Sequence, residues 1–238
     1  MRYVADDALV FNVVTGYSHI RFFLDTAEVK DWEAWLPTGL FYGVTTNPLL
    51  LERAQVACTV DSLARLVEKA LDLGVSEVQV QTWGETVEML IQRGQALAGL
   101  NPAVVVKVPI TQVGTAAAAK LVQAGVRVTL TGIYAVHQVL IGAAIGAEYV
   151  APYLGRINDS GHDGRQMVAQ MQQALKGVQS QTRVLTASIR DVADIAELAT
   201  ADVDTFTFSS AIAAQFFQVP ATLTAVADFE RAATAMGG

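Results

Sequence analysis

The sequence is poor in cysteine: among its 238 residues, Cys58 is the only one. A single cysteine cannot form an internal disulfide, which argues against a secreted protein stapled by such bonds. The first residues also lack the charged and then apolar layout of a secretory signal. Both features favour a protein of the reducing cytoplasm.

Charge is scarce as well, since only 16% of the residues are charged and the net charge is -7. No run of lysine and arginine is present that would attract a nucleic-acid backbone. No apolar stretch reaches the roughly 18 residues of a membrane span, because Glu148 and Pro152 interrupt the longest one. We therefore expect neither nucleic acid nor a membrane as a partner.

Motifs for common cofactors are also missing. No GxGxxG, GxxxxGKS or GxxxxGKT motif follows a strand candidate, which argues against a bound dinucleotide or nucleoside triphosphate. The three histidines are scattered and have no cysteine or carboxylate cluster at ligand spacing. The sequence therefore predicts no metal and no cofactor.

Apolar residues are abundant, at 52% of the chain, and they come in short runs. Segments with helical spacing lie between these runs, which is the alternation typical of βα units. The strand candidates are 20–25, 43–46, 77–81, 103–108, 127–131, 149–152, 183–188 and 205–209. The helix candidates are 28–36, 58–73, 85–98, 113–124, 134–145, 163–176, 191–199, 210–217 and 219–236.

Eight such units in about 240 residues favour a closed (β/α)8 barrel over an open doubly wound sheet, in a single α/β domain. The expected fold is a (β/α)8 TIM barrel with an extra C-terminal helix at 219–236. Residues 1–19 precede the first unit and are interpreted as an N-terminal extension of that domain. The high apolar share also suits contacts between subunits, so we expect a homo-oligomer.

Lys107 interrupts the apolar strand candidate AVVVKV. Reactive groups of such barrels collect at the carboxyl ends of the strands, and burial of an amine lowers its pKa and increases its neutral, nucleophilic fraction. An amine of this kind can condense with a ketone and act as an electron sink for carbon–carbon cleavage. The alternative is a lysine at the barrel rim that is paired with a carboxylate or extends to water.

Polar residues also end or interrupt several other strand candidates. Asp25 ends the first strand candidate and Ser188 ends the seventh. Gln79 lies within the third candidate, and Thr129 and Thr131 lie on one face of the fifth. All of these side chains would point into one mouth of the barrel. Their convergence favours a reactive lysine over a structural one.

Five segments carry a resemblance to a known protein family. They follow one another in order from about Arg21 to the C-terminal helix, and five motifs in register make the match highly specific. The segments are FFLDTAEV (22–29), GVTTNPLLL (43–51), VVVKVPIT (104–111), GAEYVAPYLGRI (146–157) and VLTASIRD (184–191). Together they resemble the transaldolase family, including its small fructose-6-phosphate aldolase branch.

The resemblance implies a class I aldolase reaction on fructose 6-phosphate, in which Lys107 on the fourth strand forms a Schiff base. Cleavage between C3 and C4 leaves a dihydroxyacetone enamine on the lysine. An aldolase releases this unit as dihydroxyacetone, whereas a transaldolase passes it to erythrose 4-phosphate and forms sedoheptulose 7-phosphate. Two alternatives stay open, a deoxyribose-phosphate-type aldolase and a non-catalytic barrel that binds sugar phosphates.

Further roles follow from the same resemblance. Asp25 is expected to handle the proton of a substrate hydroxyl, and Asn47 to hold hydroxyls of the three-carbon unit. Thr46 belongs to the same TTNP motif and is expected to contact the substrate. The C-terminal helix resembles one that small family members pack onto a neighbour in pentamers, which can pair into decamers. The implied phosphate clamp consists of Arg156, Ser188 and Arg190.

The resemblance also includes departures from typical transaldolases. Thr131 and Gln79 are expected to position a catalytic water, but typical transaldolases have a glutamate on the third strand, and Glu77 is the alternative partner there. Thr129, expected to contact the substrate, stands in the place of an asparagine. Tyr153 resembles the aldolase branch, where the phenol helps to hold the water and favours release of dihydroxyacetone.

Overall fold

The barrel is closed by eight parallel strands that pair in sequence order, with β8 returning to β1. The structure is a computed structural model that describes residues 20–238, so the extension expected at 1–19 lies outside the described residues. The (β/α)8 TIM barrel is thereby confirmed. The strands are β1 (Arg21–Asp25), β2 (Gly43–Thr45), β3 (Glu77–Gln81), β4 (Val104–Pro109), β5 (Val128–Ile133), β6 (Tyr149–Pro152), β7 (Arg183–Thr186) and β8 (Thr205–Phe208).

Helices cover the outside of this barrel. Several begin where a side-chain oxygen accepts a hydrogen bond from a free backbone N–H, as Thr86 and Asp163 do. The helices are α1 (Val29–Trp35), α2 (Pro48–Arg53), α3 (Val60–Asp72), α4 (Val87–Ala98), α5 (Gln112–Gln123), α6 (Val139–Ile145), α7 (Leu154–Asp159), α8 (Gly164–Gly177), α9 (Val192–Ala199), α10 (Ser210–Gln215) and α11 (Pro220–Ala235).

Two of these helices, α2 and α7, are not among the helix candidates of the sequence. Each has only 6 residues and begins shortly after a strand, so neither shows a helical apolar period. Strand β7 ends two residues before the predicted end at Ser188. The φ angle of Ser188 is 59°, which lies outside the extended region and therefore ends the strand.

The strands alternate between the inside of the barrel and the layer beneath the helices. Phe23 and Val105 belong to a small cluster inside the barrel, whereas Leu24 and Val106 pack in the larger core under the helices. Because both strand faces are buried, the strands are almost continuously apolar in sequence. Lys107, two residues after Val105, therefore lies on the inner face near the carboxyl end.

A network of charged side chains fills the opposite, amino-terminal end of the barrel. The side chain of Glu77 has no exposed surface, and its Oε2 accepts hydrogen bonds from Arg127 Nη2 at 2.5 Å and Tyr149 Oη at 3.1 Å. Arg127 also contacts Glu148 at 2.6 Å. Burial raises the pKa of Glu77, and the positive charge of Arg127 opposes that rise.

The C-terminal helix α11 lies outside this core, and none of its residues is buried. Its apolar side chains are well exposed, including Leu223 at 59% and Phe229 at 68%. Within residues 20–238, no helix combines the length and apolar character needed to cross a membrane.

Candidate active site

A cavity of about 410 Å³ opens at the carboxyl ends of the strands. Such a position is where barrel enzymes carry their reactive groups. The predicted site residues that line it are Asp25, Asn47, Lys107, Tyr153, Arg156, Ser188 and Arg190. The lining does not include the predicted residues Thr46, Gln79, Thr129 and Thr131. It does include Arg53 and Thr207, which the sequence did not single out.

Lys107 lies at the base of this cavity and is only 3% exposed. Burial lowers the pKa of its ammonium group, because a low dielectric disfavours the charged form, while the negative charge of Asp25 partly offsets this effect. A lowered pKa increases the share of neutral amine at neutral pH. The environment of Lys107 is thus that of a nucleophile with a carboxylate nearby.

Asp25 is held in place by one threonine hydroxyl, which a second threonine hydroxyl holds in turn. Thr45, its in-register neighbour on β2, donates its hydroxyl to Asp25 Oδ1 at 2.6 Å. The same Thr45 hydroxyl lies 2.5 Å from that of Thr207 on β8. Because Thr45 donates to the carboxylate, Thr207 is the donor in the second bond. The chain of hydroxyls fixes the carboxylate at the cavity and leaves its second oxygen to accept a proton.

Tyr153 brings a phenol to the other side of the site. Its hydroxyl lies 3.0 Å from Thr131 Oγ1, and burial raises the pKa of Tyr153, so the phenol stays protonated. The ring packs against Tyr134 at 5.7 Å between centroids, and the Arg156 guanidinium lies 5.2 Å from the Tyr153 centroid. Thr131 and Tyr153 together can donate to and accept from a small bound molecule.

Gln79 lies one layer below this level. Its in-register neighbour on β4 is Val105, two residues before Lys107. The Gln79 amide donates to Glu77 Oε1 at 2.8 Å and accepts from Thr129 Oγ1 at 2.9 Å. Of the two third-strand alternatives, Gln79 is therefore nearer to Lys107, while Glu77 belongs to the charged network at the barrel's amino-terminal end.

The TTNP segment contributes two differently placed side chains. Asn47 lines the cavity and caps α2, since its Oδ1 accepts from the backbone N–H of Leu49 at 3.0 Å and Leu50 at 3.1 Å. With the oxygen so occupied, its NH2 group is the part that can donate to a substrate. Thr46 is buried, and its hydroxyl lies 3.4 Å from the carbonyl oxygen of Gln79.

The rim of the cavity carries the predicted phosphate-binding arginines. Arg190 makes a bidentate ion pair with Asp159, at 2.5 Å for both hydrogen bonds. Gly155 lies so close to this loop that a Cβ there would be 2.4 Å from the carbonyl oxygen of Ser188 and 2.7 Å from Arg190 Nε. The glycine thus allows a tight arrangement of Ser188, Arg190 and Arg156 at one side of the mouth.

The cavity lining contains more cationic than acidic side chains. Its arginines are Arg53, Arg156 and Arg190, and its acidic residue is Asp25. An excess of guanidinium groups suits a phosphate dianion. Among residues 20–238, no group of three or more histidine, cysteine or acidic side chains could hold a metal ion.

The similarity of this chain to known proteins extends over almost its whole length. The family described as Transaldolase/Fructose-6-phosphate aldolase matches residues 22–236. The chain belongs to this transaldolase family. A family relative from Exiguobacterium sibiricum, described as a probable transaldolase, is 33% identical over 217 residues, which is 90% of this chain and 99% of the relative.

Other members of the transaldolase family are similarly related. A probable transaldolase from Moorella thermoacetica is 30% identical over 88% of this chain and 95% of the relative. One from Dehalococcoides mccartyi is 31% identical over 88% of this chain and 96% of the relative. Among solved structures, thiamine phosphate pyrophosphorylase from Pyrococcus furiosus superposes with a TM-score of 0.57 at 12% identity, over 81% of this chain and 86% of that chain. That likeness shows the barrel fold alone. The protein is thus an enzyme of the transaldolase family.

Sequence reasoning missed several residues of this transaldolase-family site. Thr207 occupies an inward position of the alternating strand TFTF, and this period of two was the signal that could have revealed it. Thr45 stands directly before Thr46 in the TTNP segment. Asp159 gave no signal, because its pairing with Arg190 spans 31 residues of sequence and depends on the tertiary fold.

Proposed function

We propose that this protein is a class I aldolase or transaldolase that forms a Schiff base between Lys107 and fructose 6-phosphate. The observation that carries this function is the buried Lys107 amine, 3% exposed at the base of the cavity and near the Asp25 carboxylate. Membership of the transaldolase family supports the same reaction class. The single cysteine also favours action in the cytoplasm.

The chemistry starts with attack of the neutral Lys107 Nζ on the C2 carbonyl of the open-chain ketose. The carbinolamine takes up one proton on its hydroxyl, which leaves as water, and the resulting iminium ion can accept electrons. Asp25 then takes the proton of the C4 hydroxyl as the C3–C4 bond breaks. Glyceraldehyde 3-phosphate leaves, and the bonding electrons move toward the iminium nitrogen to form the dihydroxyacetone enamine on Lys107.

Other side chains would bind the substrate and move protons. We assign the catalytic water to Thr131, Tyr153 and Gln79, since a phenol and hydroxyl 3.0 Å apart can share a water with the amine. The NH2 group of Asn47 suits a hydroxyl of the three-carbon unit. Thr46 and Thr129 would support the site from beneath, and the phosphate would bind at Arg156, Ser188 and Arg190.

Release and transfer share every step up to the enamine, so the products must separate them. Incubation of the enzyme with fructose 6-phosphate alone should give dihydroxyacetone and glyceraldehyde 3-phosphate when the enzyme is an aldolase. Formation of sedoheptulose 7-phosphate only after addition of erythrose 4-phosphate would indicate a transaldolase. Absence of turnover in both mixtures would leave a sugar-phosphate-binding barrel.

Reduction with borohydride tests the Schiff base directly. Borohydride reduces the imine to a stable secondary amine, so mass spectrometry of the digested protein should find the substrate carbons on the peptide that contains Lys107. An adduct on another lysine, or none at all with active enzyme, would contradict the proposed mechanism.

Neutralisation of Asp25 should separate the two chemical steps. The Asp25 charge raises the pKa of Lys107, so in Asp25→Asn that pKa is expected to fall further. Because the neutral amine predominates above the pKa, the pH profile of trapped adduct should move to lower pH, while cleavage should fall by about a hundredfold or more. Trapping and turnover across a pH series measure both. The exposed control Asp72→Asn should leave the pH profile of trapped adduct unchanged. If the Asp25→Asn profile also equals that of the wild type, the coupling between Asp25 and Lys107 is refuted.

The fate of the enamine should depend on the phenol of Tyr153. In Tyr153→Phe, the hydroxyl that lies against Thr131 is lost, and proton delivery to the enamine should weaken. We expect release of free dihydroxyacetone to fall more than transfer to erythrose 4-phosphate. The ratio of both products measures this effect, with Tyr134→Phe as a control that changes a neighbouring ring. An unchanged ratio would remove Tyr153 from the assignment.

The exposed apolar face of α11 should mediate assembly. We expect an oligomer, because side chains such as Leu223 and Phe229 are otherwise left in water. The resemblance of this helix to that of small family members implies a pentamer or a decamer. Truncation before Val219 should yield monomers in light scattering, whereas the full chain should be oligomeric. An oligomer of equal size after truncation would show that α11 is not the contact.

A further inference from the structure

A continuous chain of buried polar side chains joins the amino-terminal end of the barrel to the layer beneath Lys107. Arg127 Nη2 donates to Glu77 Oε2 at 2.5 Å, and the Gln79 amide nitrogen donates to Glu77 Oε1 at 2.8 Å. Thr129 Oγ1 in turn donates to Gln79 Oε1 at 2.9 Å. Glu77, Gln79 and Thr129 have no exposed surface, so water cannot substitute for these contacts.

The direction of every hydrogen bond in this chain follows from its charged end. A guanidinium only donates and an ionised carboxylate only accepts, so Glu77 must receive the amide nitrogen of Gln79. The amide oxygen then faces Thr129, whose hydroxyl must donate. The hydroxyl oxygen of Thr129 is then left as an acceptor. Thr129 is the in-register neighbour of Lys107 on β5.

A carboxylate is a costly way to fill this position. Burial of a charge is unfavourable unless it is paired, and apolar side chains of similar size often stabilise a fold as well or better. A role in filling space does not require the second oxygen of Glu77 to contact Gln79. Orientation of the amide does require it, because an amide alone can present either end.

We propose that Glu77 is a positioning residue, which fixes the amide of Gln79 and the hydroxyl of Thr129 in one orientation beneath Lys107. Its effect on the reaction passes through Gln79, and it therefore rests on the proposed function, in which Gln79 helps to position the catalytic water. Loss of this orientation should slow formation of the Schiff base without weakening phosphate binding at the distant rim.

A double-mutant cycle tests this route. In Glu77→Gln, the new amide can offer either an oxygen or an NH2 group to Gln79, so the rate of borohydride-trapped adduct formation should fall about tenfold with an unchanged KM. In the Gln79→Leu background, the same Glu77→Gln change should have less than about a twofold effect. A purely structural role would instead slow both backgrounds equally.

Two further variants control for stability. Glu148→Gln alters the other carboxylate paired with Arg127 without touching Gln79, and should leave the adduct rate unchanged. The double variant Glu77→Leu/Arg127→Met removes the charges together, and should fold and show the same slowing as Glu77→Gln. It also provides the test if Glu77→Gln alone does not fold.

The possible failures are distinct. The positioning role is overturned if Glu77→Gln slows adduct formation equally with and without Gln79. It is also overturned if the double variant Glu77→Leu/Arg127→Met forms the adduct at the wild-type rate. In both cases the Schiff-base mechanism stands. A wild-type enzyme that turns over without any adduct would overturn the proposed function together with the role of Glu77.

Discussion

Turnover of fructose 6-phosphate is expected to fall by about 10⁴-fold or more in Lys107→Met, because no other group at the site can form the imine. Methionine has a similar length and no charge, so it should fill the same buried space. The borohydride adduct should disappear together with activity. Product formation and mass spectrometry of the trapped protein measure both losses.

The same substitution should stabilise the fold. Burial lowers the pKa of Lys107 in the folded protein, so below the unfolded pKa the unfolded chain binds the proton more strongly. At neutral pH this difference favours unfolding, and methionine removes it. The Tm of Lys107→Met should therefore equal or exceed that of the wild type, and Lys120→Met on the surface of α5 serves as the control for both measurements. Retained turnover, or a trapped adduct that survives the change, would refute the assignment of Lys107.

Removal of Arg127 is expected to have the largest effect on stability. In Arg127→Met, the carboxylate of Glu77 stays fully buried but loses its cation, and such a loss typically costs about 3–5 kcal/mol. Arg127 is itself 34% exposed, so water screens part of the pair and we expect about 3 kcal/mol, at the lower end. Denaturant unfolding of both proteins measures the difference.

The pH dependence gives this prediction a second measurement. The pKa of Glu77 is already raised by burial, and loss of Arg127 should raise it further. Because the pKa of Glu77 is higher in the folded state, protonation of this carboxyl favours folding. Its contribution to stability is present below the unfolded pKa of about 4.5 and is lost as the pH rises through the folded pKa. The stability difference between Arg127→Met and wild type should thus shrink as the pH falls from 7 toward 4.5.

Two comparisons sharpen the result. Lys176→Met, which breaks an exposed pair with Asp202, should have a much smaller effect, because solvent screens both charges. The variant Glu77→Leu/Arg127→Met should recover most of the lost stability, since no fully buried carboxylate is then without a cation, and the partly exposed Glu148 keeps Arg21 at 3.9 Å. A small effect of Arg127→Met that does not vary with pH would show that Glu77 is not ionised in the folded protein.

Much of the site could be predicted because strand patterns report local geometry. A lysine among valines is detectable in the sequence, and the barrel fold places Lys107 and Asp25 at the same end. Asn47 comes two residues after the end of β2, so its position could be predicted in the same way. For Gln79 the sequence left Glu77 as an alternative, since residues two apart share a strand face and only the register of β3 against β4 tells their levels apart.

By itself, the sequence determined the alternation of strands and helices, the closed barrel and the lysine within an apolar strand. These features follow from the periods of two and 3.6 residues, which are local properties of the chain. The tertiary structure alone decided the partners across the barrel. Asp159 meets Arg190, Thr207 meets Thr45, and Arg127 meets Glu77, and each pair depends on how distant segments are brought together when the barrel closes. Whether Lys107 is a nucleophile depends on such long-range packing, because burial by the whole barrel is what lowers its pKa.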